Sequence, residues 1–226
     1  MNKNSVEQKR KSFALIAALV LALVLCATFI FAYVRVDYST RQAIISGAVD
    51  KINLISDNTA SFLQKAKTVV STDAGSVEYI MARGGSNEEI LDFLLYQTDN
   101  QLAKIDPSFT GVYGYYRGEY LDGNRWDPYA NGAQYYPKER PWYLAAAEGK
   151  GEVSVASPYL DMDTGNVVLS VTKLLSDGES VLGMDISLAN LSDYITDYIA
   201  DNDFGYAYII DSTGTIVASK NVPMPA

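Results

Sequence analysis

The sequence of 226 residues contains no histidine and a single cysteine, Cys26. Without histidine the chain cannot form a Ser-His-Asp triad, a Cys-His dyad, or a zinc or haem site with histidine ligands. One cysteine can form neither an intramolecular disulfide nor a cysteine-rich metal site. The net charge of −9 argues against nucleic acid as a partner, because that binding needs a basic face that displaces counterions from phosphates. We therefore expect no cofactor, no catalytic residue and no enzymatic activity in this chain.

One acidic segment resembles a metal site only in part. The run Asp161-Met-Asp163-Thr-Gly165 lacks the third oxygen ligand and the closing glutamate of a calcium-binding loop. Asp161 and Asp163 are also two residues apart in an expected hairpin, so one of them faces solvent, which disfavours a pair of glycosidase carboxylates. The favoured interpretation is a β-turn, and we predict no metal site.

Long apolar runs are absent except at residues 13–34, where only Thr28 is polar among 22 residues. About 20 apolar residues cross the hydrocarbon core of a bilayer as a helix, so the run predicts a transmembrane helix with the lipid bilayer as a partner. A cleaved signal peptide would have a shorter apolar region and a small-residue cleavage site. Leu25 before Cys26 is too large for a good lipoprotein site. Basic residues within 1–12 predict a cytoplasmic N-terminus, which places the chain beyond the span outside the cytoplasm.

Residues 36–72 contain no proline and only one glycine, Gly47. Their apolar residues recur at spacings of three, four and seven, which predicts a long amphipathic stalk helix. We expect Asp73-Ala74-Gly75 to interrupt this helix. Ser76 would then cap a short helix that ends near Gly84 and Gly85.

The chain after residue 85 has signals for both helices and strands. Ser86-Asn87-Glu88-Glu89 is a capping box and predicts a helix that Pro107 ends. Further elements are predicted from β-forming composition, turn residues and apolar periodicity. They are strands at 110–117 and 152–156, an antiparallel pair at 167–175 and 180–188, a helix at 189–200, and a second hairpin at 206–210 and 215–219. The predicted fold class is therefore mixed, α/β in the sense of α+β, with antiparallel sheets.

Aromatic residues are concentrated between residues 113 and 143. This stretch contains eight of the 17 tyrosines and both tryptophans, in a loop-like background of glycine, asparagine, aspartate and proline. Aromatic rings on loops offer rigid contact area whose polar tips can face a ligand. Ordinary sheet packing explains any single tyrosine, but the cluster as a whole indicates a binding site.

Two charged positions stand out near this cluster. Pro141 suits the first turn of a helix, which places Arg140 at a helix N-terminus, where its guanidinium could hold a carboxylate with two hydrogen bonds. A surface arginine paired with an acid is the alternative. Asp185 lies near the middle of an apolar strand and needs a partner, since an unpaired buried carboxylate is costly. A buried turn amide and a ligand ammonium both remain open.

Four segments together resemble a known family. They are Tyr135, Arg140-Pro-Trp142-Tyr143, Ser157-Pro-Tyr159-Leu-Asp161 and Gly183-Met-Asp185-Ile-Ser. In order and spacing they resemble the double Cache (dCache) domain of bacterial transmembrane receptors, in particular its amino-acid-binding subset. The resemblance implies two stacked PAS-like modules on a long N-terminal helix, with a small-molecule ligand in the distal module. It further implies that the α-carboxylate is held by Tyr135, Arg140 and Trp142, and the α-ammonium by Tyr143, Tyr159, Asp161 and Asp185.

The resemblance also implies a domain organisation. The expected parts are a cytoplasmic N-terminus (1–12), a transmembrane helix (13–34), a stalk helix (36–72), a membrane-distal Cache module (73–200) and the beginning of a membrane-proximal module (201–226). Such a protein would lie in the bacterial inner membrane as a homodimer and would signal to a chemoreceptor, histidine kinase or diguanylate cyclase output. None of these outputs is found before residue 226, so we expect a fragment or a truncated product.

Two other interpretations remain open at this point. The same scaffold could bind an amine, a purine derivative or an organic acid. Arg140 disfavours simple amines, and Asp161 with Asp185 disfavours bare carboxylates. The chain could also be a membrane-anchored interaction module whose core is filled and binds no ligand.

Overall fold

The structure, a computed structural model, describes residues 3–188, 207–210, 214 and 216–220. It divides into two compact units, Met1–Ser56 and Asp57–Ala226. The helices are α1 (Lys3–Ala82), α2 (Asn87–Gln97), α3 (Ala103–Ile105) and α4 (Pro141–Gly149). The strands are β1 (Phe109–Tyr116), β2 (Glu119–Asp122), β3 (Ser154–Val155), β4 (Tyr159–Leu160), β5 (Val167–Leu174), β6 (Val181–Ser187), β7 (Ala207–Ile210) and β8 (Ile216–Lys220). Helices and antiparallel strands together confirm the predicted mixed fold class.

The first unit is helical wherever it is described, and it contains the apolar run at 13–34. The large apolar side chains of this run, from Phe13 to Val34, are between 53% and 77% exposed. Among the described residues, α1 is the one helix long and apolar enough to cross a membrane, with a mean hydropathy of 2.9 in its most apolar window. Because so large an apolar surface is unfavourable in water, its exposure agrees with a lipid environment.

The predicted interruption at Asp73–Gly75 is wrong, because α1 continues to Ala82. Ala74 and Val77 are fully buried, and Asp73 is 3% exposed. A glycine inside a helix costs only about 1 kcal/mol, which burial of this face outweighs. Ser76 does not cap a new helix, since its hydroxyl donates to the carbonyl of Thr72 at 3.1 Å.

Helix α2 begins as the capping box predicts. Ser86 is its N-cap, and the Ser86 hydroxyl accepts the backbone N–H of Glu89 at 3.3 Å. The helix predicted as far as Pro107 is divided, since a π-helical turn at Thr98–Leu102 separates α2 from α3. The buried side chains of Ile90, Leu94 and Leu102 hold these segments against the domain core.

The larger sheet has the order β2-β1-β6-β5-β3, with β4 also paired to β5, and every pair is antiparallel. The predicted hairpin of two strands across residues 176–179 is confirmed as β5 and β6. The strand predicted at 152–156 is shorter, only Ser154–Val155. Because β6 lies between β1 and β5, its residue Asp185 occupies the centre of the sheet, opposite Gly111 on one side and Ser170 on the other.

A second, two-stranded sheet consists of β7 and β8, which pair antiparallel. This pair confirms the predicted hairpin near the end of the chain. The helix predicted at 189–200 lies outside the described residues.

Candidate ligand-binding site

A cavity of about 220 Å³ opens over the sheet between β1, β2, α4 and the β4–β5 turn. A buried water needs only ~10–15 Å³, whereas pockets for drug-sized ligands have roughly 300–1,000 Å³. The cavity therefore suits a small solute. Six predicted site residues line it: Tyr135, Arg140, Trp142, Tyr159, Asp161 and Asp185.

Arg140 reaches this cavity because of the local sequence around Pro141. Arg140 is the N-cap of α4, with extended backbone angles of φ −80° and ψ 147°, and Pro141 occupies the first turn. Its Nη2 donates to the carbonyl of Leu160 at 3.3 Å, and its guanidinium carbon lies 5.5 Å from the ring centre of Tyr159. Among the described residues, no carboxylate forms an ion pair with Arg140. The cavity thus contains a half-buried cation whose remaining N–H donors can bind an anionic group.

One wall of the cavity is made of aromatic rings. Trp142 is 1% exposed, and its indole N–H donates to the hydroxyl of Tyr135 at 3.2 Å. Since that hydroxyl accepts from the indole, its own proton can point towards a ligand. The rings of Tyr120 and Trp126 meet Tyr135 edge to face at centroid distances of 5.1 and 5.3 Å. These contacts fix the positions of the rings, so few side chains of the wall lose conformational freedom when a ligand binds.

Asp185 is held by a buried hydroxyl network. Its Oδ1 accepts from Tyr113 at 2.7 Å and from Ser170 at 2.5 Å, and the hydroxyls of Ser170 and Tyr159 lie 2.8 Å apart. Gly183 permits this arrangement, because a Cβ there would lie 3.0 Å from the Tyr113 ring. Both hydrogen bonds end on Oδ1. Among the described residues Oδ2 has no hydrogen-bond partner, which leaves it for a ligand.

Hydrogen bonds of this network partly offset the cost of burying a carboxylate in the core. Desolvation raises the pKa of Asp185 to about 7, although the hydrogen bonds from Ser170 and Tyr113 act in the opposite direction. Burial likewise raises the pKa of Tyr113 well above its usual value. Asp185 therefore changes protonation near neutral pH, and a ligand cation would favour its charged form.

Three further carboxylates complete the lining, those of Asp122, Asp161 and Asp163. Asp161 closes the β4–β5 turn, since its Oδ2 accepts the backbone N–H of Thr164 at 2.9 Å and its hydroxyl at 2.6 Å. That turn agrees with the β-turn predicted for 161–165. Asp122 is 8% exposed at the end of β2, and desolvation raises its pKa to about 6.

Tyr143 is the predicted site residue that the structure does not place in the lining. Its hydroxyl donates to the carbonyl of Glu179 at 2.9 Å, and its ring packs on Trp142 and Tyr115. Tyr143 supports the wall rather than facing the cavity. Several lining residues were not predicted as site residues from the sequence, among them Tyr113, Tyr120, Asp122, Asn124 and Trp126. Only their membership of the aromatic stretch could have indicated them.

Comparison with known proteins finds bacterial chemotaxis receptors among the relatives of this chain. No protein-family model matches the chain. The methyl-accepting chemotaxis protein McpB of Bacillus subtilis is 26% identical over 181 residues, which are 80% of this chain and 26% of McpB. The chain thus spans about a quarter of the length of that curated relative.

Solved structures show the same kinship at the level of the fold. The ligand-binding domain of the Pseudomonas fluorescens chemoreceptor CtaA in complex with L-isoleucine matches with a TM-score of 0.56 at 19% identity, covering 74% of this chain and 64% of that one. The ligand-binding domain of the Pseudomonas aeruginosa amino-acid chemoreceptor PctC in complex with GABA matches with a TM-score of 0.57 at 22% identity, covering 74% and 71%. The predicted resemblance is confirmed: the chain has the dCache-type fold of bacterial chemoreceptor ligand-binding domains.

Proposed function

We propose that this chain is the extracytoplasmic sensor part of a bacterial transmembrane chemoreceptor and that its cavity binds an α-amino acid. The observation that carries the proposal is the pairing of opposite charges on one small cavity. Among the described residues, Arg140 has no carboxylate partner and one oxygen of Asp185 has no hydrogen-bond partner. A zwitterion satisfies both groups at once, whereas a simple amine or a bare carboxylate satisfies one.

The ligand's carboxylate binds at Arg140, with a further hydrogen bond from the hydroxyl of Tyr135. Its ammonium binds at Asp185 and Asp161, against the ring face of Tyr159. The ligands in the CtaA and PctC structures, L-isoleucine and GABA, each carry one ammonium and one carboxylate, which supports this assignment.

The position in the membrane is part of the same proposal. Residues 13–34 cross the inner membrane, the basic residues among 1–12 keep the N-terminus in the cytoplasm, and the sensor lies outside. The chain acts as a homodimer, and α1 transmits the ligand signal towards a chemotaxis output. The kinship with McpB supports this type of output.

Calorimetry of the full chain in lipid nanodiscs against the L-amino acids tests the ligand class. Arg140→Ala should weaken binding at least about thirtyfold, because losing one partner of a desolvated charge pair costs roughly 2–5 kcal/mol. Arg140→Lys should bind with intermediate affinity, since an ammonium cannot form the two parallel hydrogen bonds of a guanidinium.

Arg83→Ala is the matched control, because Arg83 pairs with Glu89 away from the cavity. It should leave the affinity unchanged. Binding of amino acids that is indifferent to Arg140→Ala would refute the assignment. Binding of amines alone would select the alternative ligand class.

A further inference from the structure

The cavity contains more carboxylates than a zwitterion can neutralise. Among the described residues, the charged lining has one cation, Arg140, and four acids, Asp122, Asp161, Asp163 and Asp185. In the function proposed above, Asp161 and Asp185 take the α-ammonium. Asp122 and Asp163 then have no counter-charge from the ligand.

The described part of the protein does not supply that counter-charge either. Among the described residues, neither Asp122 nor Asp163 forms an ion pair with a lysine or arginine. Arg125, the basic residue nearest to Asp122 in the sequence, binds Asp99 instead. Its Nη1 donates to Oδ1 at 3.1 Å and its Nη2 to Oδ2 at 2.5 Å. Arg125 is therefore engaged elsewhere.

Asp122 is nevertheless arranged as an acceptor. Its Oδ1 accepts the backbone N–H of Asn124 at 2.6 Å, and its Oδ2 accepts the hydroxyl of Tyr120 at 2.9 Å. A carboxylate has about four lone-pair sites, so each oxygen can accept one more hydrogen bond. Asp161 and Asp163 both raise the pKa of Asp122, which places the three acids within electrostatic range of one another.

Aromatic rings adjoin these acids. Tyr120, whose hydroxyl binds Asp122, meets Trp126 edge to face at 5.9 Å, and both rings line the cavity. An organic cation binds favourably between an aromatic face and a carboxylate, because the ring quadrupole adds to the attraction of the carboxylate charge.

We propose that the ligand is a basic α-amino acid whose side-chain cation binds Asp122 and Asp163 beside Trp126. The inference rests on the proposed function, since Arg140 and Asp185 hold the backbone groups of the same ligand. A ligand with two positive charges and one negative charge offsets the excess of acids. A neutral amino acid leaves Asp122 and Asp163 to repel each other or to take up protons.

The test compares ligands that differ in charge but hardly in shape. The full chain in nanodiscs is titrated with L-arginine and L-citrulline, and with L-lysine and L-norleucine, at about 0.1 M salt, where the Debye length is about 10 Å. The cationic member of at least one pair should bind at least tenfold more tightly. Equal or tighter binding of both neutral members overturns the inference.

Two variants locate the effect. Asp122→Asn and Asp163→Asn should each reduce the preference for the cationic member to less than about threefold. Asp163 is exposed on a turn, so its variant is expected to fold even if Asp122→Asn does not. Asp92→Asn, on the exposed face of α2, is the matched control and should keep the full preference. A preference that survives both cavity variants overturns the inference.

The two proposals fail in different ways. Tight binding of neutral amino acids that still depends on Arg140, with no preference for charge, refutes only the basic ligand. If Arg140→Ala changes the affinity for none of these ligands, the proposed function itself fails.

Discussion

At the scale of single residues, the position of Asp185 is explained by hydrogen-bond partners on the neighbouring strands rather than by its own strand. Sequence analysis left open whether a turn amide or a ligand satisfies it. The structure shows that the hydroxyls of Tyr113 and Ser170 donate to one oxygen, while the other has no hydrogen-bond partner among the described residues. Ser170 was not predicted as a site residue, because a serine in an apolar strand carries no signal until its strand is paired. The pairing of β5 with β6 places Ser170 directly opposite Asp185.

The raised pKa of Asp185 predicts pH-dependent binding. A ligand ammonium needs the ionised carboxylate, and with a pKa of about 7 this group is mostly protonated at pH 5. Affinity for an amino acid should therefore fall roughly a hundredfold between pH 8 and pH 5, up to tenfold for each pH unit below the pKa. The pKa of Asp122, raised to about 6, acts in the same direction.

Calorimetry at four or five pH values measures this dependence. Asp185→Asn should bind weakly, with a much flatter pH profile. Arg140→Lys should bind more weakly than the parent but keep the parent's profile, since it leaves the acid unchanged. An affinity of the parent that is constant from pH 5 to pH 8 would contradict the role of Asp185.

At the scale of elements, local signals predicted two helix starts correctly, whereas the break and the cap predicted at Asp73–Ser76 were wrong. Ser86 and Pro141 begin α2 and α4 as predicted, because capping depends on the first turn alone. The interruption predicted at Asp73–Gly75 failed, because the buried face of α1 contributes more than the local preferences of aspartate and glycine. The π-helical turn after α2 was not predicted, since only tertiary contacts distinguish it from regular helix.

Burying Asp73 in α1 has a measurable consequence. Its Oδ1 accepts the amide of Gln97 at 2.7 Å, while its Oδ2 and the hydroxyl of Tyr116 are buried without a partner among the described residues. Desolvation raises the pKa of Asp73 to about 7. Between about pH 4 and pH 7 the unfolded chain loses this proton while the folded protein keeps it, so the contribution of Asp73 to stability is lost as pH rises.

Asp73→Asn removes the ionisation and keeps an acceptor for Gln97. The free energy of unfolding of the variant minus that of the parent should be roughly 3 kcal/mol larger at pH 8 than at pH 4. Urea unfolding of the full chain in detergent at both pH values measures the difference, with Asp92→Asn as the exposed control. An identical effect of Asp73→Asn at both pH values would show that Asp73 does not titrate in this range.

At the scale of the whole molecule, charge and hydropathy divide the chain. The apolar run at 13–34 has no described protein cover, whereas the apolar residues of the second unit are largely buried around its sheet. The two parts thus require different solvents, lipid and water. That contrast supports a membrane-anchored sensor and predicts which parts of the chain a reagent in water can reach.

Thiol labelling of whole cells tests this arrangement. A maleimide that cannot cross membranes should not label Cys26, because lipid excludes the reagent. In a Cys26→Ala background, Glu148→Cys on the exposed face of α4 should be labelled in intact cells, and Ser5→Cys only after permeabilisation. Labelling of Ser5→Cys in intact cells would reverse the proposed topology, and labelling of Cys26 would contradict the span.

The sequence alone determined the features whose causes are local or compositional. These are the apolar run, the helix caps, the hairpin between β5 and β6, the exclusion of histidine chemistry and the motif around Arg140. Tertiary structure alone decided which side chains share the cavity. Asp122 faces it because β2 pairs with β1 in the register that sets Asp122 opposite Tyr113. Shifting a strand by one residue turns every side chain to the other face, and only contacts between segments distant in the chain select the register.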